Sequence, residues 1–282
     1  MWQAWHDDPK CQRAPCLQRA VSITHPSSTA RERSPRPCRA FLLVHGAWHS
    51  GRCWDRVVPL LESAGHSVIA PSLTGTGDRA HLLTPEVGLD THVDDVARLI
   101  DKGDLEDMVL VGHSYGGGVI SAAANLAPES IAHLVYVDST APKDGETAID
   151  ALPRLQRLID LAAKSANPWR IPPPSEQPPP VGLLGVVAPA DIAWLRTLLS
   201  DHPARSFQQP IQLDNPAAKS IPRTHIRCTD VNAKVTILPP VPELQPNGSP
   251  SQVGSLPTGH ECMITMPRKL SDLLIRTASR IR

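Results

Sequence analysis

Residues 108–111, Met-Val-Leu-Val, form a short apolar run that passes directly into Gly112-His113-Ser114-Tyr115-Gly116. An apolar run without polar alternation fits a strand buried on both faces. The stretch that follows, Gly117 to Ala124, is made of small and apolar residues, which suit a helix packed close against a sheet. A chain that leaves a strand and enters a helix within so few residues must double back on itself. Glycine on either side of Ser114 leaves room for that return. The central serine is then forced into strained backbone geometry, and its hydroxyl is lifted above the sheet edge at a helix N-terminus, where negative charge is favoured. This is the pattern of a nucleophile elbow. The competing reading is an ordinary glycine-rich loop, and the flanking strand and helix weigh against it.

Other segments repeat the alternation. Phe41-Leu42-Leu43-Val44 reads as a buried parallel strand that ends in His45-Gly46. Trp54, Val57, Val58 and Leu61 follow at helical spacing, with Pro59 predicted to kink or shorten that helix and Gly65 to stop it. Ser67–Ala70 is a second strand. Asp90-Thr91 can cap a helix whose apolar face is Val93, Val96, Ala97 and Ile100. Ile131–Val137 is a further strand ending at Asp138. From 142 to 222 the alternation stops, and residues 168–180 are so rich in proline that they must be extended. A helix is expected from Pro189, with Ile192, Leu195 and Leu198 on one side. Thr224–Cys228 and Val253–Leu256 resume as strands, and a last helix begins near Pro267.

This order predicts an α/β fold: a mostly parallel, doubly wound sheet with an inserted cap. The expected segments are 1–38, a disordered extension; 39–141, the first part of the core; 142–222, the cap; and 223–282, the second part of the core. Lysine plus arginine and aspartate plus glutamate balance at 28 each, so no net charge draws the chain toward nucleic acid or a membrane surface. No apolar run is long enough to span a bilayer. The six cysteines include no CxxC pair, so neither a zinc site nor a disulfide scaffold is expected, and residues 1–38 make a poor secretory signal. The expected setting is cytoplasmic.

Ligands of open α/β sheets bind at the carboxyl ends of the strands. Ser114, His45, Asp138, Asp230 and His260 all fall just past a predicted strand end. A serine hydroxyl needs a neighbouring base to take its proton, and His260, after a short strand and Gly259, stands where the order serine, acid, histidine places it. Two carboxylates compete for the acid. Asp138 ends a well-formed strand. Asp230 ends the following core strand, the more usual location, but Val231 to Pro257 behind it is proline-rich and shows no helix. Asp138 is preferred by a small margin, and both stay open. An oxyanion hole needs two backbone N–H groups; Tyr115 and Ala47 are the candidates. His45 is read as a structural histidine tying its loop to its neighbours. No cofactor or metal is expected.

His45-Gly46-Ala47-Trp48-His49-Ser50-Gly51-Arg52-Cys53-Trp54, Pro71–Gly75, Asp78–Leu82, Gly88–His92, the elbow and Leu256–His260 resemble the α/β-hydrolase superfamily. More narrowly, they resemble esterase-like members near the plant methyl esterase and hydroxynitrile lyase branch. The resemblance implies a cofactor-free serine hydrolase with a helical cap, whose nucleophile, histidine and oxyanion donors carry over to Ser114, His260, Ala47 and Tyr115. The lyase members have a threonine and a lysine where this chain has Gly46 and Glu261. With no cation to stabilise departing cyanide, cyanohydrin cleavage is not expected. The expected substrate is a small to medium, largely uncharged carboxylic ester. Lactone or thioester hydrolysis shares the same intermediate, and a non-catalytic small-ligand binder on the same fold is the alternative from another class. Leu152, Leu155, Leu158, Trp169, Trp194 and Leu195 are expected to pack the cap rather than touch substrate.

Overall fold

The structure, a computed structural model, describes residues 38–103, 105–230, 232 and 238–281. The expected N-terminal extension therefore lies outside the described residues, apart from Cys38. Six strands form one parallel sheet: β1 (Ala40–Val44), β2 (Ser67–Ile69), β3 (Met108–His113), β4 (Ile131–Val137), and two later strands, Arg223–Cys228 and Gln252–Leu256. Around them lie α1 (Val58–Ser63), α2 (Leu89–Lys102) and α3 (Gly116–Leu126). Between β4 and Arg223 come α4 (Ala148–Ala151), α5 (Gln156–Ala162), β5 (Arg170–Ile171), α6 (Pro189–Arg196), β6 (His202–Pro203), α7 (Arg205–Gln208) and α8 (Pro216–Ser220). The two later sheet strands are thus β7 and β8, and α9 (Cys262–Thr265) and α10 (Pro267–Ala278) close the chain.

The strand order is β2-β1-β3-β4-β7-β8. The chain winds outward from β1 in one direction to β2 and in the other to β3, so the carboxyl ends of β1 and β3 flank the reversal where such sheets bind ligands. Alternate strand residues face opposite sides, as the two-residue period requires. Phe41, Leu43, Val109, Val111, Val135 and Val137 pack with Trp54, Val57, Leu61, Leu270 and Leu274 on the side of α1 and α10. Leu42, Val44, Leu110, Leu134 and Tyr136 pack with Val93, Val96, Val119 and Ile120 on the side of α2 and α3. Every residue of β3 is buried, and each large apolar side chain there contributes about 1.5–3 kcal/mol.

Three expectations are refined or corrected. Pro59 shortens its helix rather than kinking it: α1 starts at Val58 with Pro59 in its first turn, where its missing N–H costs nothing, and Gly51–Trp54 forms a separate 3-10 turn. The second helix begins at Leu89 after Gly88, so Asp90 lies inside it and accepts a bond from the Thr91 N–H, while Thr91 does cap the helix, its Oγ1 accepting the Gly88 N–H at 3.2 Å. Of the cysteines in the described residues, Cys53, Cys228 and Cys262 are free thiols, while Cys38 is disulfide-bonded, a pairing the spacing did not announce. Among the described residues of the 231–255 stretch no helix forms, and Gly248 at φ +80 marks a turn before β8. No helix among the described residues is long and apolar enough to cross a membrane.

Candidate active site

Ser114 sits between β3 and α3 at φ +51, in the left-handed region. Its N–H donates to the Val137 carbonyl at 3.1 Å. The closeness of the turn is measurable at its glycines. A Cβ on Gly112 would stand 2.5 Å from the Gly116 carbonyl oxygen, one on Gly116 would stand 2.7 Å from that of Val44, and one on Gly46 would stand 3.0 Å from Ser114 Cβ. Gly46 thus lets the loop after β1 lie directly against the elbow. A Cβ on Gly117 would meet Ser139 Oγ at 2.0 Å, which is how closely α3 approaches the end of β4.

Asp138 ends β4, also in the left-handed region at φ +41, with its N–H donating to the Ile226 carbonyl at 2.7 Å. One carboxylate oxygen accepts the Cys228 N–H at 3.0 Å, and the other accepts a 2.6 Å hydrogen bond from His260 Nδ1–H. Both residues are 7% exposed. Burial alone would raise the Asp138 carboxyl, but the His260 bond and charge more than offset it and hold the group below its ordinary range. Asp230 does not share this bond. Its Oδ1 takes the Asn232 N–H at 2.9 Å and its own N–H goes to the Thr258 carbonyl, so it caps a turn. The structure therefore brings His260 to Asp138 and leaves Asp230 apart. His113 supports the histidine from beneath, with Nε2–H donating to the His260 carbonyl at 3.1 Å.

Ala47 and Tyr115 both line the same cavity as Ser114, Asp138 and His260. His45 is buried and neutral: Nδ1–H donates to the Gly46 carbonyl at 2.8 Å, and Nε2 accepts the Leu73 N–H at 3.0 Å. Burial drops its pKa to about 3. Tyr115 hydrogen-bonds His92 Nδ1 at 2.9 Å, and its ring lies 4.8 Å from that of His202 and 5.8 Å from that of Phe207. The contacts of Tyr115 with His92, His202 and Phe207 were not legible in the sequence, because they join segments far apart in the chain.

The cavity holds about 220 Å³ and is roofed by the segment between β4 and β7. Leu152, Leu155 and Leu158 pack with Ile159, Ala162 and Phe207 as expected, and they also line the cavity, as do Phe207, Ile211 and Leu238. Trp194 and Leu195 instead join the core around Trp54. A second concavity of about 470 Å³ lies between β8 and α10, and its lining holds no carboxylate, histidine or cysteine. Among the described residues, His113, His260 and Glu261 bring three metal-capable atoms within 4.8 Å of one another. One nitrogen of each histidine is already engaged, His260 Nδ1 with Asp138 and His113 Nε2 with the His260 carbonyl, and Glu261 pairs with His49, while His113 Nδ1 has no hydrogen-bond partner.

Comparison with known proteins agrees with this architecture. Residues 41–273 match the Alpha/beta hydrolase family. A Carbendazim hydrolyzing esterase of Nocardioides sp. (strain SG-4G) is 32% identical over 247 residues, covering 83% of this chain and 97% of that protein. The pFDCC methylesterase MES16 of Arabidopsis thaliana is 26% identical over 269 residues, covering 88% and 97%. Among solved structures, an extracellular α/β-hydrolase from a Paenibacillus species superimposes with a TM-score of 0.67 at 23% identity, over 84% of this chain and 98% of that one. The chain belongs to the alpha/beta hydrolase family, among carboxylic ester hydrolases near the plant methylesterases.

Proposed function

We propose that this protein hydrolyses small to medium, largely uncharged carboxylic esters through Ser114, His260 and Asp138 by way of an acyl-enzyme. His260 Nε2 takes the Ser114 proton as Oγ attacks the ester carbonyl, and Asp138 holds the imidazole in the Nδ1–H tautomer and steadies the imidazolium that forms. The Ala47 and Tyr115 N–H groups receive the oxyanion, with the N-terminus of α3 adding favourable potential. The imidazolium then protonates the departing alcohol, and the same histidine activates the water that releases the acid. Residues 142–222 act as the cap that sets substrate size.

The observation that carries this reading is the 2.6 Å His260–Asp138 bond in a cavity that also holds the left-handed Ser114. An imidazole with its tautomer fixed by a buried carboxylate, in the same cavity as a hydroxyl on a strained turn, supplies the parts that nucleophile activation requires. The apolar lining and small volume favour uncharged ligands of modest size. A panel of p-nitrophenyl esters of graded acyl length, with carbendazim included because of the Nocardioides relative, tests it. Turnover of the shorter esters, abolished by Ser114→Ala, is expected. Equal rates for the parent and Ser114→Ala would refute it.

A further inference from the structure

Glu261 and His49 are buried, at 0% and 1% exposure, and take no part in the chemistry above. Both adjoin groups that do. Glu261 directly follows His260, and His49 lies two residues after Ala47. His49 Nε2 is 3.1 Å from Glu261 Oε2, and on the other side of the ring Nδ1–H donates to the Ala47 carbonyl at 2.7 Å. Among the described residues neither Glu261 carboxylate oxygen has a hydrogen-bond partner, so the imidazolium is the charge that balances it. Burial alone would raise the Glu261 carboxyl, but His49 and His113 bring it to about 2. Burial alone would lower His49, but Glu261 overrides it and raises it. A buried ion pair is a poor source of stability, which makes its placement the informative fact.

Ala47 is flanked by two peptide units. The first carries the Gly46 carbonyl and the Ala47 N–H. That carbonyl accepts from His45 Nδ1–H at 2.8 Å and from the His49 N–H at 3.4 Å. In a planar trans peptide the N–H points opposite the carbonyl, so these bonds aim the Ala47 N–H. The second unit carries the Ala47 carbonyl, gripped by His49, and the Trp48 N–H, which donates to His202 Nδ1 at 3.4 Å. Trp48 itself is held at φ +66, a conformation that a non-glycine residue keeps only when its surroundings enforce it.

We propose that His49 and Glu261 are positioning residues: the charged pair grips the Ala47 carbonyl and ties the loop bearing one oxyanion donor to the chain segment bearing His260. The kinetic part rests on the ester-hydrolase reading. Glu261→Gln keeps the shape and removes the charge. Its kcat on p-nitrophenyl butyrate is expected to fall roughly 10- to 100-fold, less than the ~10²–10³ for losing a whole oxyanion donor, with KM within about twofold. Glu261→Asp should recover part of the loss, and His49→Gln/Glu261→Gln should be no worse than the worse single variant, because the two act as one unit. Assays run well below each variant's melting temperature separate this from loss of fold. A Glu261→Gln kcat within about twofold of the parent, a loss carried by KM, or additive losses would overturn the proposal. Nitrogen-15 NMR of the parent gives a readout independent of activity. His49 should be protonated on both ring nitrogens at pH 7, and a neutral ring there would overturn the proposal even if the variants do not fold. A parent with no esterase activity and no fluorophosphonate adduct would instead refute the functional reading, and the NMR result would still decide the clamp.

Discussion

Acidification from pH 6 to pH 5 should strip this fold of several kcal/mol, well before its carboxylates are neutralised. The cause is a set of histidines buried without charge. Burial drops His45 and His113 to about 3, and His133 and His225 to about 4. His133 Nε2 shares a 2.8 Å bond with Thr224 Oγ1, and His225 stacks on Tyr136 with ring centroids 5.0 Å apart. In the unfolded chain each protonates near its ordinary value of about 6.5. The folded values are depressed, so the stability they represent is complete above about pH 6.5 and is lost as the pH falls, down to about 4 for His133 and His225 and about 3 for His45 and His113. His49, raised by Glu261, is charged in the folded state and mostly charged in the unfolded one over this range, so it adds only a small contribution of opposite sign. The four protons at about 1.4 kcal/mol each come to roughly 5–6 kcal/mol per pH unit, and His92 and His202, also lowered by burial, add in the same direction, set against a typical total of about 5–15 kcal/mol. Urea unfolding followed by circular dichroism at pH 7.5, 6.5, 6.0, 5.5 and 5.0 measures it. His133→Gln and His225→Gln should each reduce the slope by about one proton's worth. A slope below about 1.4 kcal/mol per pH unit between pH 6 and 5 would refute the reasoning, because it would leave at most one proton taken up.

Two further predictions follow from single positions. Asp138→Asn should lower kcat on p-nitrophenyl butyrate by about 10⁴, the scale for losing the tautomer-fixing carboxylate, while Asp230→Asn stays within about twofold of the parent; similar rates for both would contradict the assignment. Gly112→Ala should cost ~2 kcal/mol or more, because its Cβ meets the Gly116 backbone at 2.5 Å, whereas Gly118→Ala, with open space at its Cβ, should gain up to about 1 kcal/mol through helix propensity. Differential scanning calorimetry separates these, and equal melting temperatures would contradict the packing described.

The parallel strands were legible because a strand buried on both faces leaves an uninterrupted apolar run, as Met108–Val111 and Ile131–Val137 do. The elbow was legible because Gly112 and Gly116 answer a steric demand that no other residue meets. Whether Pro59 kinks or shortens its helix stayed open because proline both breaks helix interiors and opens first turns, and only the separate turn at Gly51–Trp54 decides for the shortened helix. The short helices α4, α5 and α7 were not legible because four to seven residues span only one to two turns, too few for a 3.6-residue period to repeat. The choice between Asp138 and Asp230 stayed open because both stand beyond strand ends, and only the Cys228 N–H and the His260 ring distinguish them. The His49–Glu261 pair was invisible for the same reason: it joins the loop after β1 to the segment after β8.

The most direct test of the account is peptide mapping by mass spectrometry after treatment with a fluorophosphonate probe, which reacts only with an activated serine. One adduct per chain is expected, on the peptide that contains Ser114, lost in His260→Ala and strongly slowed in Asp138→Asn. An unlabelled parent, or an adduct on any other residue with Ser114 untouched, would contradict it.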